Sequence, residues 1–365
     1  MKIAIITGTR AEYGLLRPII SEIQKSKIHK LLLYVTGLHM TKYNSSEKNI
    51  EFPIHKKIDM KINEKKPDNV SFLNSLSIGI KEFTKELSKD KPDLVILLGD
   101  RIEPYSAAIA ANFLGVPVAH IHGGDITNGM IDDNIRHSIT KLSHLHFVTT
   151  EKSEKVILQL GEEKWRVHNV GSPSLDSISN FKPNKKILNE LKIPNIPYCL
   201  VVYHPESYSN EINVFKKMID KLISKKYLPV IIYPNLDPGS KKIIQIIDEL
   251  TKKKKIISFK NLKREEYLSL AKLSSFYIGN SSSGLIELPF IGVKCINIGG
   301  RQNGRVSPKS VVHINSISEL NEAILKVKKS KESPYWKGGA SKKIMKVISN
   351  LPKKEILLKK KFITK

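Results

Sequence analysis

Short apolar runs alternate with amphipathic stretches from one end of the chain to the other. Ile3–Ile6, Leu31–Val35, Leu94–Leu98, Val116–Ile121 and Leu145–Val148 form a first series of strand candidates. Helical periodicity lies between them, as in Leu15–Ile23 and Glu103–Phe113. A second series follows at Cys199–Tyr203, Val230–Tyr233, Ile256–Phe259, Phe276–Ile278 and Cys295–Ile298. Runs that are apolar at every position suit strands covered on both faces, as in parallel sheets flanked by helices. Two such series predict an α/β chain of two Rossmann-like, doubly wound domains.

The 365 residues suffice for two cores. The Gly- and Pro-containing segment Val170–Asp176, followed by the polar stretch Ser179–Lys192, marks a boundary. The expected domains are therefore residues 1–172 and 173–335, with a lysine-rich helical tail over 336–365. Ala107–Ala119, the best candidate for a membrane span, is broken by Asn112, Gly115 and Pro117. The opening Met1–Ile6 reads as a strand and is too short for a signal-peptide core, so a cytoplasmic location is expected. Cys199 and Cys295 each sit in an apolar run and read as buried small hydrophobes.

A net charge of +26 raises the question of nucleic acid. The excess is almost all lysine, scattered over helix faces and in short runs such as Lys252–Lys255 and Lys359–Lys361. No nucleic-acid-reading motif accompanies it, and only 7% of residues are aromatic, so no nucleic-acid partner is expected. The field still favours an anionic ligand.

In open parallel sheets, ligands bind beyond the carboxyl ends of the strands. The polar constellations of this chain fall there. Thr7–Gly14 follows the first strand and feeds a helix, which makes Arg10 an anion-site candidate; a plain strand-to-helix turn is the simpler alternative. Gly99-Asp100-Arg101 with Glu103 and Pro104 places charges abruptly after a buried strand. Asp100 can cap the next helix, but capping does not explain Arg101. His120–Asp125 followed by Ile131–His137 is the densest cluster. His122 and Asp125 can move protons, and Asp132 and Arg136 share one helix face. A metal is not expected, because no compact ligand spacing is present. His204 ends the first strand of the second series. Asn280-Ser281-Ser282 leads into a helix carrying Glu287, with Arg301 and Arg305 after the next strand, a set suited to a diphosphate and a ribose.

Taken in order, these motifs resemble the hydrolysing UDP-N-acetylglucosamine 2-epimerases: Thr9–Pro18, Gly99-Asp100-Arg101, Gly123-Gly124-Asp125, Asp132–His137, Gly279–Gly284 and Arg301–Arg305. The resemblance runs from about residue 3 to 315. It implies a GT-B-like arrangement with an interdomain cleft and a homo-oligomer, dimer or tetramer. It also implies UDP elimination to a 2-acetamidoglucal followed by hydration to N-acetylmannosamine, feeding sialic-acid-type sugar synthesis, with no cofactor and no metal. By position, Arg10, Asp100, Asp132, Arg136 and His204 would line the sugar and leaving group, while Ser281, Ser282, Glu287 and Arg301 would hold the UDP. Arg101 and Asn280 join the substrate-binding candidates.

Two positions depart from the family pattern. His122 stands where relatives carry a catalytic Glu, and Leu15 where some carry Lys. Either His122 or Asp125 would then take the place of that Glu. UDP-N-acetylglucosamine is the first expected substrate; UDP-2,4-diacetamido-2,4,6-trideoxyglucose, on the route to legionaminic acid, is the second. A GT-B glycosyltransferase and a binding protein without chemistry are the rival readings.

Overall fold

A computed structural model describes residues 1–43, 46–206 and 212–364, with only the main chain of Ile212. The chain divides into two compact units. Unit 1 comprises Met1–Ile126, Ile131–Ser177 and Tyr335–Lys365; unit 2 comprises Thr127–Met130 and Ile178–Pro334.

Unit 1 runs β1 Lys2–Thr7, α1 Arg10–Lys25, β2 Lys30–Thr36, β3 Lys56–Ile58, α2 Asn69–Asp90, β4 Leu94–Leu98 and α3 Ile102–Phe113. It continues with β5 Val118–Ile121, α4 Ile131–Leu142, β6 Leu145–Val148, α5 Glu151–Gln159 and β7 Val167–Asn169. The strands are parallel in the order β3-β2-β1-β4-β5-β6-β7. Ile3 and Ile5 pack into the core on one face of this sheet, while Ala4 and Ile6 pack on the other. Burial on both faces is why the central strands read as largely apolar runs.

Unit 2 contains α6 Ile187–Glu190, β8 Tyr198–Val202, α7 Ile212–Ser224, β9 Leu228–Ile232, α8 Ser240–Lys252, β10 Ile257–Phe259 and α9 Arg264–Leu273. It ends with β11 Phe276–Gly279, α10 Ser283–Ile286, β12 Cys295–Ile298, β13 Val312–Ile314 and α11 Leu320–Lys326. Its sheet, also parallel, has the order β10-β9-β8-β11-β12-β13. Cys199 and Cys295 are free and buried in it.

Residues 336–365 are not an appended tail. They carry α12 Ala340–Ile348 and α13 Lys354–Leu358, and Ala340, Ile344, Ile348 and Leu357 complete the core beside α1. Asp176 anchors the segment, accepting from the Ala340 and Ser341 N–H groups at 3.0 and 2.7 Å. The buried Arg166 guanidinium donates to the carbonyls of Leu357 at 2.8 Å and Lys359 at 3.1 Å. These contacts also carry unit 1 past the boundary expected at 172, to Ser177. No helix among the described residues is long and apolar enough to cross a membrane.

In both sheets the strand order reverses beside the first strand of the unit, between β1 and β4 and between β8 and β11. At such a switch point the neighbouring loops diverge and leave a crevice. The loops there are residues 8–9 and 99–101 in unit 1, and 203–206 and 280–282 in unit 2.

Candidate active site

In unit 1 the switch-point loops place Arg10 on the first residue of α1 and Asp100 and Arg101 just after β4. Thr9 caps α1, its hydroxyl accepting from the Glu12 N–H at 3.2 Å. Asp100 does not cap α3 as the sequence suggested; the capping position is Arg101, without a side-chain cap bond. Asp100 instead meets Arg136 of α4 in an ion pair. Arg136 also donates to Asp133 at 3.1 Å and to the Asp125 carbonyl at 2.9 Å. Asp133, three residues before Arg136 and on the same side of the helix, is thus one of its ion-pair partners. Asp132 lies half-buried on the first turn of α4. Burial opposes the Arg136 charge, but Asp100, Asp125 and Asp133 outweigh it and raise its pKa.

His122 and Asp125 lie deeper. His122 adopts a left-handed backbone with φ of 64°, strained for a residue bearing a Cβ. Its Nδ1 faces Asp125 at 3.4 Å, and its Nε2 meets the Ser172 hydroxyl at 3.0 Å. Asp125 accepts from the hydroxyls of Ser153 at 2.7 Å and Thr149 at 3.4 Å. The turn between them requires Gly124: a Cβ there would stand 2.3 Å from the Ser153 carbonyl oxygen. His120, on the adjacent strand, is wholly buried between Gly99 O and Thr140, and burial pushes its pKa down to about 3. It is a neutral core residue.

In unit 2, His204 follows β8 and Asn280 follows β11. The buried Asn280 amide does not point outward as a ligand contact. Its oxygen accepts from the His204 N–H at 2.7 Å and its NH2 donates to the His204 carbonyl at 2.8 Å, locking the two loops together. The helix after Ser281 and Ser282 is a single turn, Ser283–Ile286. Ser281 Oγ accepts from the Ser283 N–H at 3.4 Å. Glu287 ends this turn and receives Arg264 Nη2 at 2.5 Å. Arg301 reaches the Asn280 carbonyl at 3.4 Å.

The structure therefore gathers Asp100, Asp125 and Arg136 with His122 in unit 1, with Asp132 on the first turn of the helix that carries Arg136. It gathers His204, Asn280, Ser281, Ser282 and Arg301 in unit 2, with Glu287 one turn on. Sequence reasoning missed Ser172 and Arg264, which touch candidates from 50 and 23 residues away along the chain. Nothing in a single sequence pairs residues at such separations.

A family model for UDP-N-acetylglucosamine 2-epimerase matches residues 21–349. The GDP/UDP-N,N′-diacetylbacillosamine 2-epimerase (hydrolyzing) of Campylobacter jejuni is 39% identical over 345 residues, covering 91% of this chain and 88% of that protein. The UDP-N,N′-diacetylbacillosamine 2-epimerase (hydrolyzing) of Legionella pneumophila is 32% identical, covering 98% of each. Among solved structures, the Neisseria meningitidis UDP-GlcNAc 2-epimerase bound to UDP-GlcNAc superposes with a TM-score of 0.78 at 22% identity, covering 96% of this chain and all of that one. At that identity the likeness shows the fold, which is the GT-B-like one.

Proposed function

Because the chain belongs to the UDP-N-acetylglucosamine 2-epimerase family, we propose that it hydrolyses a UDP-linked 2-acetamido sugar to UDP and the free manno-configured sugar. The observation that carries this reading is the Asp100–Arg136–Asp133 network at the switch point of unit 1. A carboxylate held by a buried guanidinium beside a ligand crevice has a fixed position from which to move a proton.

In the first step a carboxylate takes the C2 proton while the bond from C1 to the diphosphate oxygen breaks. The electron pair forms the C1–C2 double bond of a 2-acetamidoglucal, and UDP departs. In the second step water adds: hydroxyl goes to C1 and a proton returns to C2 on the opposite face. Asp100 and Asp132 are our candidates for these transfers, with Arg10, Arg101 and Arg136 offsetting the substrate's charge. Of the two candidates for the place of the family's Glu, we choose His122, because Asp125 faces its Nδ1 and orients the ring. His204 is assigned to the leaving group, with Asn280 positioning it. For the nucleotide we choose Ser281, Ser282, Glu287 and Arg301, with Arg264 orienting Glu287.

The names of the two bacterial relatives favour UDP-2,4-diacetamido-2,4,6-trideoxyglucose, which is UDP-N,N′-diacetylbacillosamine, over the UDP-N-acetylglucosamine ranked first from sequence. Incubation with each sugar in deuterated water, followed by NMR, tests both points. The expected result is UDP plus a manno-configured sugar deuterated at C2, formed faster from the diacetamido substrate. A product still protonated at C2 refutes elimination, and release only in the presence of an acceptor sugar indicates glycosyl transfer.

A further inference from the structure

Two buried carboxylates beneath the arginine loops have no part in that chemistry. Glu12 of α1 and Glu103 of α3 lie on either side of Gly8. The Gly8 N–H donates to Glu12 Oε2 at 2.8 Å. A Cβ on Gly8 would stand 2.6–2.9 Å from Cγ, Cδ and Cβ of Glu103, and one on Gly37 would stand 2.3 Å from Glu103 Oε1. The Glu103 side chain thus fills a hollow that only glycines at 8 and 37 leave open. It is 0% exposed. Its Oε2 accepts from Arg101 Nε at 3.2 Å, while its Oε1 has no hydrogen-bond donor among the described residues.

We infer that Glu12 and Glu103 hold a single negative charge between them at neutral pH, and that this pair positions Arg10 and Arg101. Two carboxylates flanking one glycine, both out of water, cannot both be charged without a large cost, so one retains its proton. Glu12 is the group that keeps it. Burial foremost, and then the Glu103 carboxylate, push its pKa up to about 8, against the opposing pull of Arg101 and the Gly8 N–H. The Asp100 charge, on the β4–α3 loop, also faces Glu12, while that of Arg10 faces the neighbouring His39. His39, next to Gly8 from the segment after β2, is held neutral by burial, with its pKa near 4. Glu12 binds the loop residue two before Arg10, and Glu103 binds Arg101 directly. The pair therefore holds Arg101 directly and, through Gly8, the loop that leads to Arg10, and loss of its proton sets two buried anions against each other beneath that loop.

This inference deepens the proposed function and rests on it for its kinetic readout, but its spectroscopic readout is independent. Infrared difference spectra of the wild type against Glu12→Gln are expected to show a protonated carboxyl band at pH 7. The band should vanish as the pH passes about 8. Turnover of the UDP sugar should show an alkaline limb with the same midpoint. Glu12→Gln imitates the neutral acid, so it should keep most of the turnover at pH 7 and lose the limb. Glu103→Gln should raise KM about tenfold, through Arg101, with less effect on kcat. Absence of the carboxyl band in the wild type at pH 7 overturns the inference whether or not the protein turns over. An alkaline limb unchanged in Glu12→Gln overturns it as well. Should the wild type show the band but no turnover, the proposed reaction fails and the acid pair stands.

Discussion

Replacing Asn280 with alanine removes one amide that makes two bonds to the His204 main chain, at 2.7 and 2.8 Å. Asn280 is 0% exposed, so water does not replace it readily. Each main-chain group left unpaired costs about 1–3 kcal/mol, which gives about 2–6 kcal/mol for the pair. With a urea slope of about 2 kcal/mol/M, the midpoint should fall by roughly 1–3 M. Circular dichroism follows the whole chain, while Trp165 and Trp336 both lie in unit 1 and report on it alone. The mutation also frees the His204 loop, so kcat should fall at least about tenfold. UDP affinity should hold, because the contacts of Arg301 and Gln302 are to the Asn280 carbonyl, which alanine retains. A double-mutant cycle with His204→Ala isolates the coupling: Asn280→Ala should cost little further turnover once His204 is gone. A variant with unchanged midpoint and unchanged kcat refutes the argument. An equal loss of turnover in the presence and absence of His204 refutes the positioning part alone.

Asp100→Asn and Asp132→Asn should each lower turnover at least about a hundredfold while UDP affinity, measured by calorimetry, stays nearly constant. His122→Gln should cause a comparable loss; a nearly silent His122→Gln beside a damaging Asp125→Asn would reverse our choice between them. Arg264→Ala and Glu287→Ala should each weaken UDP binding by about 1–3 kcal/mol in the same assay. Arg166→Ala removes a buried cation that binds four main-chain carbonyls and should destabilise unit 1 by about 3–5 kcal/mol in urea unfolding followed by tryptophan fluorescence. Glu162, although burial alone would raise its pKa, is held down at about 2 by His146, Lys141 and Lys360. A depressed acid stabilises the fold above its ordinary pKa near 4.5, and that stability is lost as the pH falls toward 2, so Glu162→Gln should flatten acid unfolding in this window.

The strands that lie inside the sheets were legible because both faces are covered. Leu94–Leu98, Leu145–Val148 and Cys295–Ile298 appear at their expected limits. The strands the pattern missed, β3 Lys56–Ile58, β7 Val167–Asn169 and β13 Val312–Ile314, are three-residue edge strands with polar residues. Each of these three pairs on one side only and mixes polar with apolar residues, so hydropathy barely marks it, whereas the edge strand β10 lies in the apolar run Ile256–Phe259 and was expected. Arg10, Asp100, Arg101, His122, His204 and Asn280 lie just beyond strand ends, the position from which the sequence singled them out. Their partners were not so marked. Nothing local shows that Asp100 meets Arg136, or that Asn280 turns inward to His204; those choices depend on where a helix or loop from another part of the chain comes to rest.

The return of residues 335–365 to unit 1 has a consequence for synthesis. A ribosome adds about 5–20 residues per second, and the 157 residues of Ile178–Pro334 separate Ser177 from Tyr335, so roughly 8–31 s pass between the emergence of the two parts of unit 1. Throughout that interval the apolar face of α1 awaits Ala340, Ile344 and Ile348, and Arg166 awaits its carbonyls. Unit 2 needs only Thr127–Met130 and Ile178–Pro334 and has all its residues first. The nascent chain therefore reverses its own order: the half begun first is finished last, and a chaperone bound during translation should be found on the α1 surface.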